Sequence, residues 1–373
     1  MELIPAQYYH YVYLIIVLIL CIDQSRKLAA YPSTASLINE MQDTRHSAKV
    51  WCIFLAIFIG FRPLSEVFPD MLGYAEDYES GSALYDIVSM DGEPIWLLIK
   101  RICYKLGFPS TFWFAIITSL VITLQYLACR KWFGRQIYPA MLFMTTGFYY
   151  WSIMTVIIRS SLASALVLFA ISLFMNNDKR SKLFALLLMG AALYTHTSSI
   201  LISGCFLVSY YVVKDIRLCI AFWLVCLVAS LFLGNYFEIL FTSLGFDDRM
   251  SAYTSNVDYS GFAHSGFRWD FLIYSVVPII LGFFVTRRST QDKVYSTLLN
   301  TYILCNAFWV LVIRAQFSDR FAGLSWLMYP IVIAYPLLKM DIWSNQPKIA
   351  RTALLLHVGF IVGMTFIYYG LLR

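Results

Sequence analysis

Apolar stretches long enough to cross a membrane recur along the whole chain, and short polar segments separate them. A helix needs about 20 apolar residues to cross a hydrocarbon core of ~30 Å. Twelve segments approach that length, near residues 5–22, 47–64, 110–128, 136–152, 157–176, 182–195, 198–213, 216–234, 270–286, 294–313, 321–338 and 352–371. The pattern predicts an all-α, polytopic integral membrane protein with about twelve transmembrane helices in a single domain over residues 1–373.

The composition excludes a water-soluble fold. Of the 373 residues, 60% are hydrophobic and only 13% are charged, and the mean hydropathy is +0.68. Soluble domains carry about 25% charged residues. The N-terminal segment lacks a basic stretch and a small-residue cleavage site, so we expect a retained first span and not a signal peptide. The eight cysteines are scattered singly without CxxC spacing, which favours packing residues over metal ligands.

The distribution of charge predicts the orientation of the spans. With the N-terminus outside, 18 of the 28 lysines and arginines fall on the cytoplasmic side, and every cytoplasmic loop is basic. Of the 22 acidic residues, 15 fall on the outer side. Because cytoplasmic loops of membrane proteins are enriched in Lys and Arg, this assignment places both termini on the extracytoplasmic side.

The segment THTSS, residues 195–199, interrupts an apolar run over residues 183–213. As one helix the run would be roughly 46 Å long, which is too long for a single crossing, and basic clusters flank both of its ends. The run therefore predicts a hairpin of two short helices that turns at THTSS on the outer side. Polar backbone at membrane depth persists only where it is buried in protein or lines a wet cavity. We therefore expect His196 to face a cavity that opens outward.

Two long outer loops, residues 62–109 and 235–269, are rich in aromatic and acidic side chains. Loops longer than about 15 residues are usually functional or disordered. Aromatic rings stack on sugar faces and carboxylates accept hydrogen bonds from sugar hydroxyls, which favours a glycan-binding surface. A folded lid with an interfacial aromatic belt is the alternative. The candidate substrate-binding aromatic residues are Tyr78, Tyr194 and Trp269.

Residues 94–106 of the first loop predict an amphipathic helix. Four apolar side chains share one face and three basic side chains lie elsewhere, namely Ile95, Leu98, Ile102 and Leu106 against Lys100, Arg101 and Lys105. Such a helix is expected to lie on the outer surface of the membrane. Glu93 followed by Pro94 suits its start, because Pro is favoured at the first helical position and a carboxylate is favoured near the positive end of the helix dipole.

Five arginines lie at the outer ends of predicted spans, namely Arg62, Arg159, Arg268, Arg314 and Arg320. A guanidinium at the centre of the membrane costs about 2.5–3.5 kcal/mol on insertion scales, and the positive-inside bias also disfavours these positions. The planar guanidinium matches phosphate oxygens. Together the arginines favour convergence on a phosphate-bearing ligand at the outer face. The alternative is that each one snorkels or pairs with a neighbouring acid such as Asp270 or Asp319.

Six short motifs occur in an order and at spacings that resemble the EpsG-like and Wzy-type polymerases of bacterial surface polysaccharides. They are GFRPLSEVFPDMLGY, GEPIWLLIKRICYKLG, IIRSSLASALVLFAISLF, AALYTHTSSILI, FRWDFLIYS and SDRFAGLSWLMYP. The resemblance spans roughly residues 50–335. It implies a membrane glycosyltransferase of GT-C-like architecture whose active site lies outside the bacterial cytoplasmic (inner) membrane.

The resemblance also implies substrates that carry an oligosaccharide repeat unit on undecaprenyl diphosphate. The growing glycan would leave one lipid diphosphate and join a hydroxyl of another unit, with no nucleotide sugar, metal ion or other cofactor. The absence of Walker A, GxGxxG and DxD motifs from the sequence agrees with this expectation. The expected partners are the lipid-linked glycan donor and acceptor, membrane lipids, a chain-length regulator and a flippase, with no nucleic acid.

The resemblance and the charge pattern together assign candidate roles in glycosyl transfer. Negative charge on the departing diphosphate would be stabilised by arginines pre-positioned around it. The candidates are Arg62, Arg159 and Arg268, followed by Arg320 and Arg314. The candidates for accepting the proton of the attacking hydroxyl are His196, Asp70 and Glu93. In the alternative, His196 hydrogen-bonds the diphosphate.

Three other classes of membrane protein fit parts of the pattern. A lipid-linked oligosaccharide flippase or other transporter would also have about twelve spans, but the two halves of this chain show no internal repeat. An O-antigen ligase uses the same donor chemistry. A sugar acyltransferase would take its acyl donor from the cytoplasmic side, whereas the arginine-bearing loops are predicted to lie outside.

Overall fold

The computed structural model describes residues 4–81, 93–176, 178–243, 266–288, 292–315 and 318–369, and within these ranges all regular structure is helical. The α-helices are α1 (Tyr9–Ala29), α2 (Thr34–Asn39), α3 (Arg45–Gly60), α4 (Met71–Glu79), α5 (Pro94–Lys105), α6 (Ser110–Phe133), α7 (Ile137–Thr145), α8 (Tyr150–Thr155), α9 (Ile158–Phe174), α10 (Lys179–Leu193), α11 (Ser199–Tyr211), α12 (Ile216–Ser243), α13 (Trp269–Arg288), α14 (Lys293–Leu311), α15 (Ser318–Trp326), α16 (Tyr329–Lys339) and α17 (Gln346–Tyr369).

The described helices confirm a multi-pass membrane protein. Six segments among them are long and apolar enough to cross a membrane, namely Ser110–Thr145, Ile216–Leu233, Trp269–Arg288, Lys293–Leu311, Ser318–Lys339 and Gln346–Ile367. Helices α9 and α11 are shorter apolar helices. The total of about twelve spans and the GT-C-like architecture stay predictions.

The chain folds as two compact units, one formed by Met1–His196 with Ala334–Arg373 and the other by Thr197–Ile333. In the first unit, α6 packs against both α3 and α9, α9 packs against α10, and α1 packs against α17. Helix α6 lies between α3 and α9 and is apolar nearly all round, and both of its tryptophans, Trp113 and Trp132, are buried.

Segments predicted to lie outside the membrane meet one another in the first unit. The side chain of Arg62, just after α3, reaches the end of α8, and the start of α5 is hydrogen-bonded to the end of α10. The hydrogen bonds that join these segments are Arg62 Nη2 to the carbonyl oxygen of Thr155 (3.0 Å), Tyr78 Oη to that of Phe108 (2.7 Å) and the amide of Ile95 to the carbonyl oxygen of Tyr194 (3.0 Å).

Segments predicted to be cytoplasmic also meet one another in this unit. Their hydrogen bonds join the amide of Thr44 to the carbonyl oxygen of Arg135 (3.1 Å), Gln136 Nε2 to that of Ile38 (2.7 Å) and Thr34 Oγ1 to that of Trp343 (2.6 Å). The grouping of loops predicted from the charge pattern therefore agrees with the contacts of the first unit. Which group faces outward, and with it the location of both termini, stays a prediction.

The amphipathic helix predicted at residues 94–106 is confirmed as α5. Its apolar face points away from the protein, because Leu98, Ile102 and Leu106 are each at least half exposed. Lys100, predicted to lie away from the apolar face, is buried, and its ammonium lies 2.6 Å from a carboxylate oxygen of Asp77. Lys100 therefore fastens α5 to α4, while the opposite face remains apolar and exposed, as in a helix that lies on a membrane.

Several predicted boundaries differ from the structure. The predicted span at 136–152 is broken into α7 and α8. The first outer loop contains α4 as well as α5. The apolar span of α12 ends at a kink at Leu233, close to the predicted boundary of the second outer loop, and a helical segment continues from there to Ser243. Residues 82–92 and 244–265 of these loops lie outside the described residues.

The interruption at THTSS is confirmed, because α10 ends at Leu193 and α11 begins at Ser199. The first unit ends at His196 and the second begins at Thr197, so the break also separates the two units. That the two helices form a hairpin stays a prediction.

In the second unit, α14 packs against α11, α12, α13 and α15. Several buried polar side chains of this unit hydrogen-bond to one another or to the backbone, as membrane interiors favour. Trp223 Nε1 donates to Asn306 Oδ1 (2.9 Å), Tyr302 Oη donates to the carbonyl oxygen of Ser275 (2.8 Å), and Trp326 Nε1 donates to the hydroxyl of Ser275 (2.8 Å).

The close packing of α3 against α6 depends on Gly60, since a Cβ atom at this position would lie 2.9 Å from the Cα atom of Ala115. We predict that Gly60→Ala lowers the free energy of unfolding by about 1–3 kcal/mol, because the backbone of α6 must shift. The matched control is Gly190→Ala in α10, where a Cβ atom meets nothing within 4 Å. Thermal unfolding in detergent measures both, and an unchanged melting temperature for Gly60→Ala would contradict the prediction.

Candidate functional site

One carboxylate joins three segments of the first unit that are far apart in sequence. Glu93 Oε2 lies 2.8 Å from Arg159 Nη1, and Glu93 Oε1 is hydrogen-bonded to His196 Nδ1. The three side chains are partly buried, with 12% of Glu93, 27% of Arg159 and 21% of His196 exposed. A ligand can therefore reach a cluster that is shielded from much of the solvent. We call Glu93, Arg159 and His196 the carboxylate cluster.

Local backbone structure explains why Glu93 lies beside His196. Pro94 is the first residue of α5 and presets the backbone for the start of the helix. The next amide, that of Ile95, donates to the carbonyl oxygen of Tyr194 (3.0 Å), which ties the start of α5 to the end of α10. Glu93 makes no side-chain capping bond to α5, so its carboxylate faces the two basic side chains instead.

Arg159 lies in the first turn of α9, where a cation is disfavoured by the positive end of the helix dipole. Glu93 offsets this repulsion. The Nε–H of Arg159 donates to Tyr74 Oη (3.1 Å), and its guanidinium carbon lies 5.7 Å from the centroid of the Tyr74 ring. Nη2 of Arg159 makes no hydrogen bond to any described residue, so this amine can still donate to a ligand.

The hydrogen bond from His196 to Glu93 determines which ring nitrogen can act as a base. A carboxylate accepts and does not donate, so Nδ1 carries the proton in the neutral ring and Nε2 has the free lone pair. Within the described part of the chain Nε2 makes no hydrogen bond. The arrangement is that of a histidine oriented by a carboxylate, as in hydrolases that use His as a general base.

Glu93 itself is held in its charged form. Burial pushes the pKa of its carboxyl group upward, but the hydrogen bond and charge of His196 and those of Arg159 outweigh burial and lower the pKa below its usual range. Because the proton affinity of Glu93 is reduced, its environment suits an orienting anion better than a general base.

Arg62 is fully buried, unlike Arg159. Its Nη1 donates to the carbonyl oxygen of Ile59 (2.9 Å) and its Nη2 to that of Thr155 (3.0 Å), at the C-terminal ends of α3 and α8. Helix C-termini carry partial negative charge, which stabilises the cation. Arg62 forms no ion pair with any acid in the described ranges. Arg62 therefore holds in place the turn between α8 and α9, which precedes Arg159.

The remaining candidates of the first unit lie around this cluster. Asp70 is the N-cap residue of α4, with φ of +65° in the left-handed region, and its carbonyl oxygen accepts from the amide of Tyr74 (3.0 Å). Tyr78 is buried, its ring stacks on Trp113 at 5.0 Å, and it belongs to the packing of the protein. Tyr194 is 58% exposed and remains available to a ligand.

The second unit brings three of the other candidates together. The ring of Phe267 lies 4.3 Å from that of Trp269, and the guanidinium of Arg314 lies 5.6 Å from the Phe267 ring. Arg268 forms an ion pair with Asp270 at 2.7 Å, as in the alternative in which each arginine pairs with a neighbouring acid. Trp269 is more than half exposed.

Arg320 lies on α15 and is partly buried. Two of the five arginines belong to the first unit and three to the second, and their convergence stays a prediction.

Sequence reasoning missed Tyr74, which contacts Arg159 directly. Tyr74 is spaced one helical turn from both Asp70 and Tyr78, which would place the three side chains on one face of a helix. The segment was predicted to be a loop, so this spacing was not used. Sequence reasoning also missed the ion pair between the buried Lys100 and the exposed Asp77. No three His, Cys, Asp or Glu side chains are grouped to hold a metal ion in the described ranges.

The chain was compared with known proteins. The model of the EpsG family matches residues 49–371, which include every candidate residue discussed above. No curated protein and no solved structure matches the chain.

The lowered pKa of Glu93 makes the stability of the first unit depend on pH. A carboxylate with a depressed pKa in the folded state stabilises the fold above its unfolded pKa, and the contribution is lost as pH falls through the folded pKa. We predict that Glu93→Gln lowers stability at pH 7 by about 1–3 kcal/mol. The difference from wild type should shrink as pH falls from about 5 toward 3.

Melting temperatures between pH 7 and pH 3 measure this effect. The control is Glu76→Gln, because Glu76 is an exposed carboxylate on the adjacent helix α4. A constant difference between Glu93→Gln and wild type at all pH values would show that the carboxylate is not held by the two basic residues.

Proposed function

The chain belongs to the EpsG family, and on that premise we propose that it is a polysaccharide polymerase acting on lipid-linked repeat units. Its substrates are oligosaccharides on undecaprenyl diphosphate, at the outer face of the bacterial inner membrane, and both chain termini lie on that side. The protein would act with a flippase that delivers the units and with a chain-length regulator.

The carboxylate cluster is the observation that carries the proposal. It combines a histidine whose Nε2 is available as a base with an arginine that keeps one amine for an anion. The free amine of Arg159 also favours an anionic ligand, and Arg62 adds a buried cation that contacts Thr155, four residues before Arg159 in the chain. A departing diphosphate would supply the missing negative charge.

In the proposed step, a hydroxyl oxygen of the acceptor glycan attacks the anomeric carbon of the donor glycan. A new C–O bond forms while the bond from the anomeric carbon to the diphosphate breaks, and that electron pair leaves with the diphosphate oxygen. The proton of the attacking hydroxyl passes to Nε2 of His196. Glu93 stabilises the resulting imidazolium, and Arg159 stabilises the charge that develops on the diphosphate.

Arg62 contributes to this step as a positioning residue. Its guanidinium bridges two carbonyl oxygens that belong to different helices, and the second of them, that of Thr155, lies four residues before Arg159. The planar fork makes both bonds at once, which a lysine cannot reproduce. Arg62 therefore holds the turn before α9 and adds a buried positive charge.

The candidates of the second unit are assigned to the glycan and to the second lipid diphosphate. The exposed ring of Trp269 suits stacking on a sugar, and Arg314 and Arg320 suit contacts with a diphosphate. Tyr194 of the first unit is a further exposed ring for sugar stacking. Asp70 is assigned to the placement of α4 through its backbone.

We predict that Arg159→Ala abolishes polymer formation while the protein still inserts into the membrane. Removal of one pre-positioned donor from a developing anion costs about 10²–10³-fold in rate, and every addition to the polymer is slowed by that factor. Purified protein is mixed with a lipid-diphosphate repeat unit and the products are sized on a gel. Arg101→Ala is the control, because Arg101 forms no ion pair with a described residue.

A ladder of products from wild type and from Arg101→Ala, with none from Arg159→Ala, supports the proposal. Normal chain lengths from Arg159→Ala remove this residue from the site. Substrate that only moves across vesicles, with no ladder from wild type, identifies a flippase. Transfer of preformed polymer to a different acceptor, without elongation, identifies a ligase.

His196 permits a separate test of its two candidate roles. Glutamine can replace histidine as a hydrogen-bond donor to the diphosphate but not as a general base. As a general base, His196 is worth about 10²–10⁴-fold in rate, and neither alanine nor glutamine accepts the proton. We therefore predict losses of that size for both His196→Ala and His196→Gln in a single-coupling assay. His46→Ala is the control, because His46 is exposed at the start of α3. Activity restored by glutamine would instead assign a hydrogen bond to the diphosphate.

A further inference from the structure

Tyr74 is the aromatic residue that contacts the guanidinium of the carboxylate cluster. Its hydroxyl oxygen accepts the Nε–H of Arg159 at 3.1 Å. Its ring lies edge-on to two tryptophans, 6.1 Å from the ring centroid of Trp96 and 6.5 Å from that of Trp113. Both tryptophans are buried, whereas Tyr74 is only half buried, so its hydroxyl lies where the packed core gives way to the site.

The helix that carries Tyr74 is fastened at its C-terminal end, about one helical turn after Tyr74. Lys100 Nζ lies 2.6 Å from Asp77 Oδ2, Tyr78 Oη donates to the carbonyl oxygen of Phe108 (2.7 Å), and Ser110 Oγ donates to Glu79 Oε1 (2.6 Å). These bonds join α4 to α5 and to the start of α6. The hydroxyl of Tyr74 is therefore held in place before any ligand binds, which is the condition for an effective donor.

The hydrogen bond to Arg159 leaves a proton of Tyr74 available. A phenol can accept one hydrogen bond and donate another. Here the oxygen accepts from Nε, and among the described residues no acceptor takes the phenolic hydrogen. That hydrogen points away from the guanidinium, because two donors cannot face each other.

The shape of guanidinium places this hydrogen beside the unused amine of Arg159. Nε and Nη2 donate along the same edge of the planar group. Tyr74 occupies the Nε position of that edge, and Nη2 makes no hydrogen bond to a described residue. An anion that binds Nη2 therefore lies next to the Tyr74 hydroxyl.

We propose that Tyr74 is a further substrate-binding residue that donates a hydrogen bond from its hydroxyl to the same diphosphate that Arg159 binds. The inference rests on the proposed function and adds a residue to it. No covalent bond changes at Tyr74, and the phenol keeps its proton throughout. The hydrogen bond strengthens as negative charge develops on the departing diphosphate.

The test measures binding of farnesyl diphosphate, and of farnesol as the phosphate-free probe, to the purified full chain in detergent. Tyr74→Phe removes only the hydroxyl and keeps the ring against both tryptophans. Tyr104→Phe is the matched control, because Tyr104 packs edge-on against Tyr78 and makes no hydrogen bond to Arg159. Arg159→Ala and the double variant Tyr74→Phe/Arg159→Ala complete the set.

We expect Tyr74→Phe to weaken farnesyl diphosphate binding about tenfold, as for the loss of one hydrogen bond to a charged group. Farnesol binding should not change, and Tyr104→Phe should match wild type for both probes. In the Arg159→Ala background, the further change Tyr74→Phe should weaken diphosphate binding again.

Two results would overturn the inference alone. Wild-type affinity for farnesyl diphosphate in Tyr74→Phe, with weakened binding in Arg159→Ala, leaves the proposed function intact and removes Tyr74 from it. A loss in Tyr74→Phe that disappears in the Arg159→Ala background shows that Tyr74 only orients Arg159. By contrast, equal binding by wild type and Arg159→Ala contradicts the diphosphate site of the proposed function itself.

Discussion

The shared carboxylate of Glu93 is the interaction on which the candidate site depends. One of its oxygens contacts Arg159 and the other contacts His196, and through them it joins the start of α5 to the start of α9 and the end of α10. Loss of the carboxylate charge from this partly buried cluster costs about 1–3 kcal/mol, because the remaining cations are left without a charged partner. The same contacts orient the imidazole and leave one guanidinium amine for a ligand. Stability and proposed chemistry therefore have a common origin at this residue.

A layer formed by α4 and α5 supports this carboxylate. The buried ammonium of Lys100 holds the two helices together through Asp77, and the fully buried ring of Trp113 in α6 packs against the rings of Tyr74, Tyr78 and Trp96. The outward face of α5 remains apolar. The layer thus has a rigid protein-facing side that positions the site and an apolar side that suits the membrane surface. Arg62 supports Arg159 in a similar way, because its guanidinium holds the turn before α9 in place.

Hydropathy and charge predicted the membrane class, the amphipathic helix and the break at THTSS, because these features depend on composition and local periodicity. The charge pattern and the family resemblance together selected Glu93, Arg159 and His196 individually. They did not predict that one carboxylate links them, since Glu93 is 66 residues from Arg159 and 103 residues from His196 in the chain. Periodicity identifies the face of a helix and not the neighbour that the face meets. Arg62 was therefore expected at a ligand, whereas its partners are two backbone carbonyls. Lys100 was expected only to lie away from the apolar face of its helix, and the pair with Asp77 was not predicted.

A double-mutant cycle on the rate of a single coupling step tests most directly whether the carboxylate cluster works as one unit. The rates of wild type, Glu93→Gln, His196→Ala and the double variant are compared with one lipid-diphosphate donor and one acceptor. Residues that act as a unit are strongly non-additive. We predict that the double variant is no slower than the slower single variant. Losses that multiply in the double variant would show that Glu93 and His196 act independently, and would contradict the shared-carboxylate site.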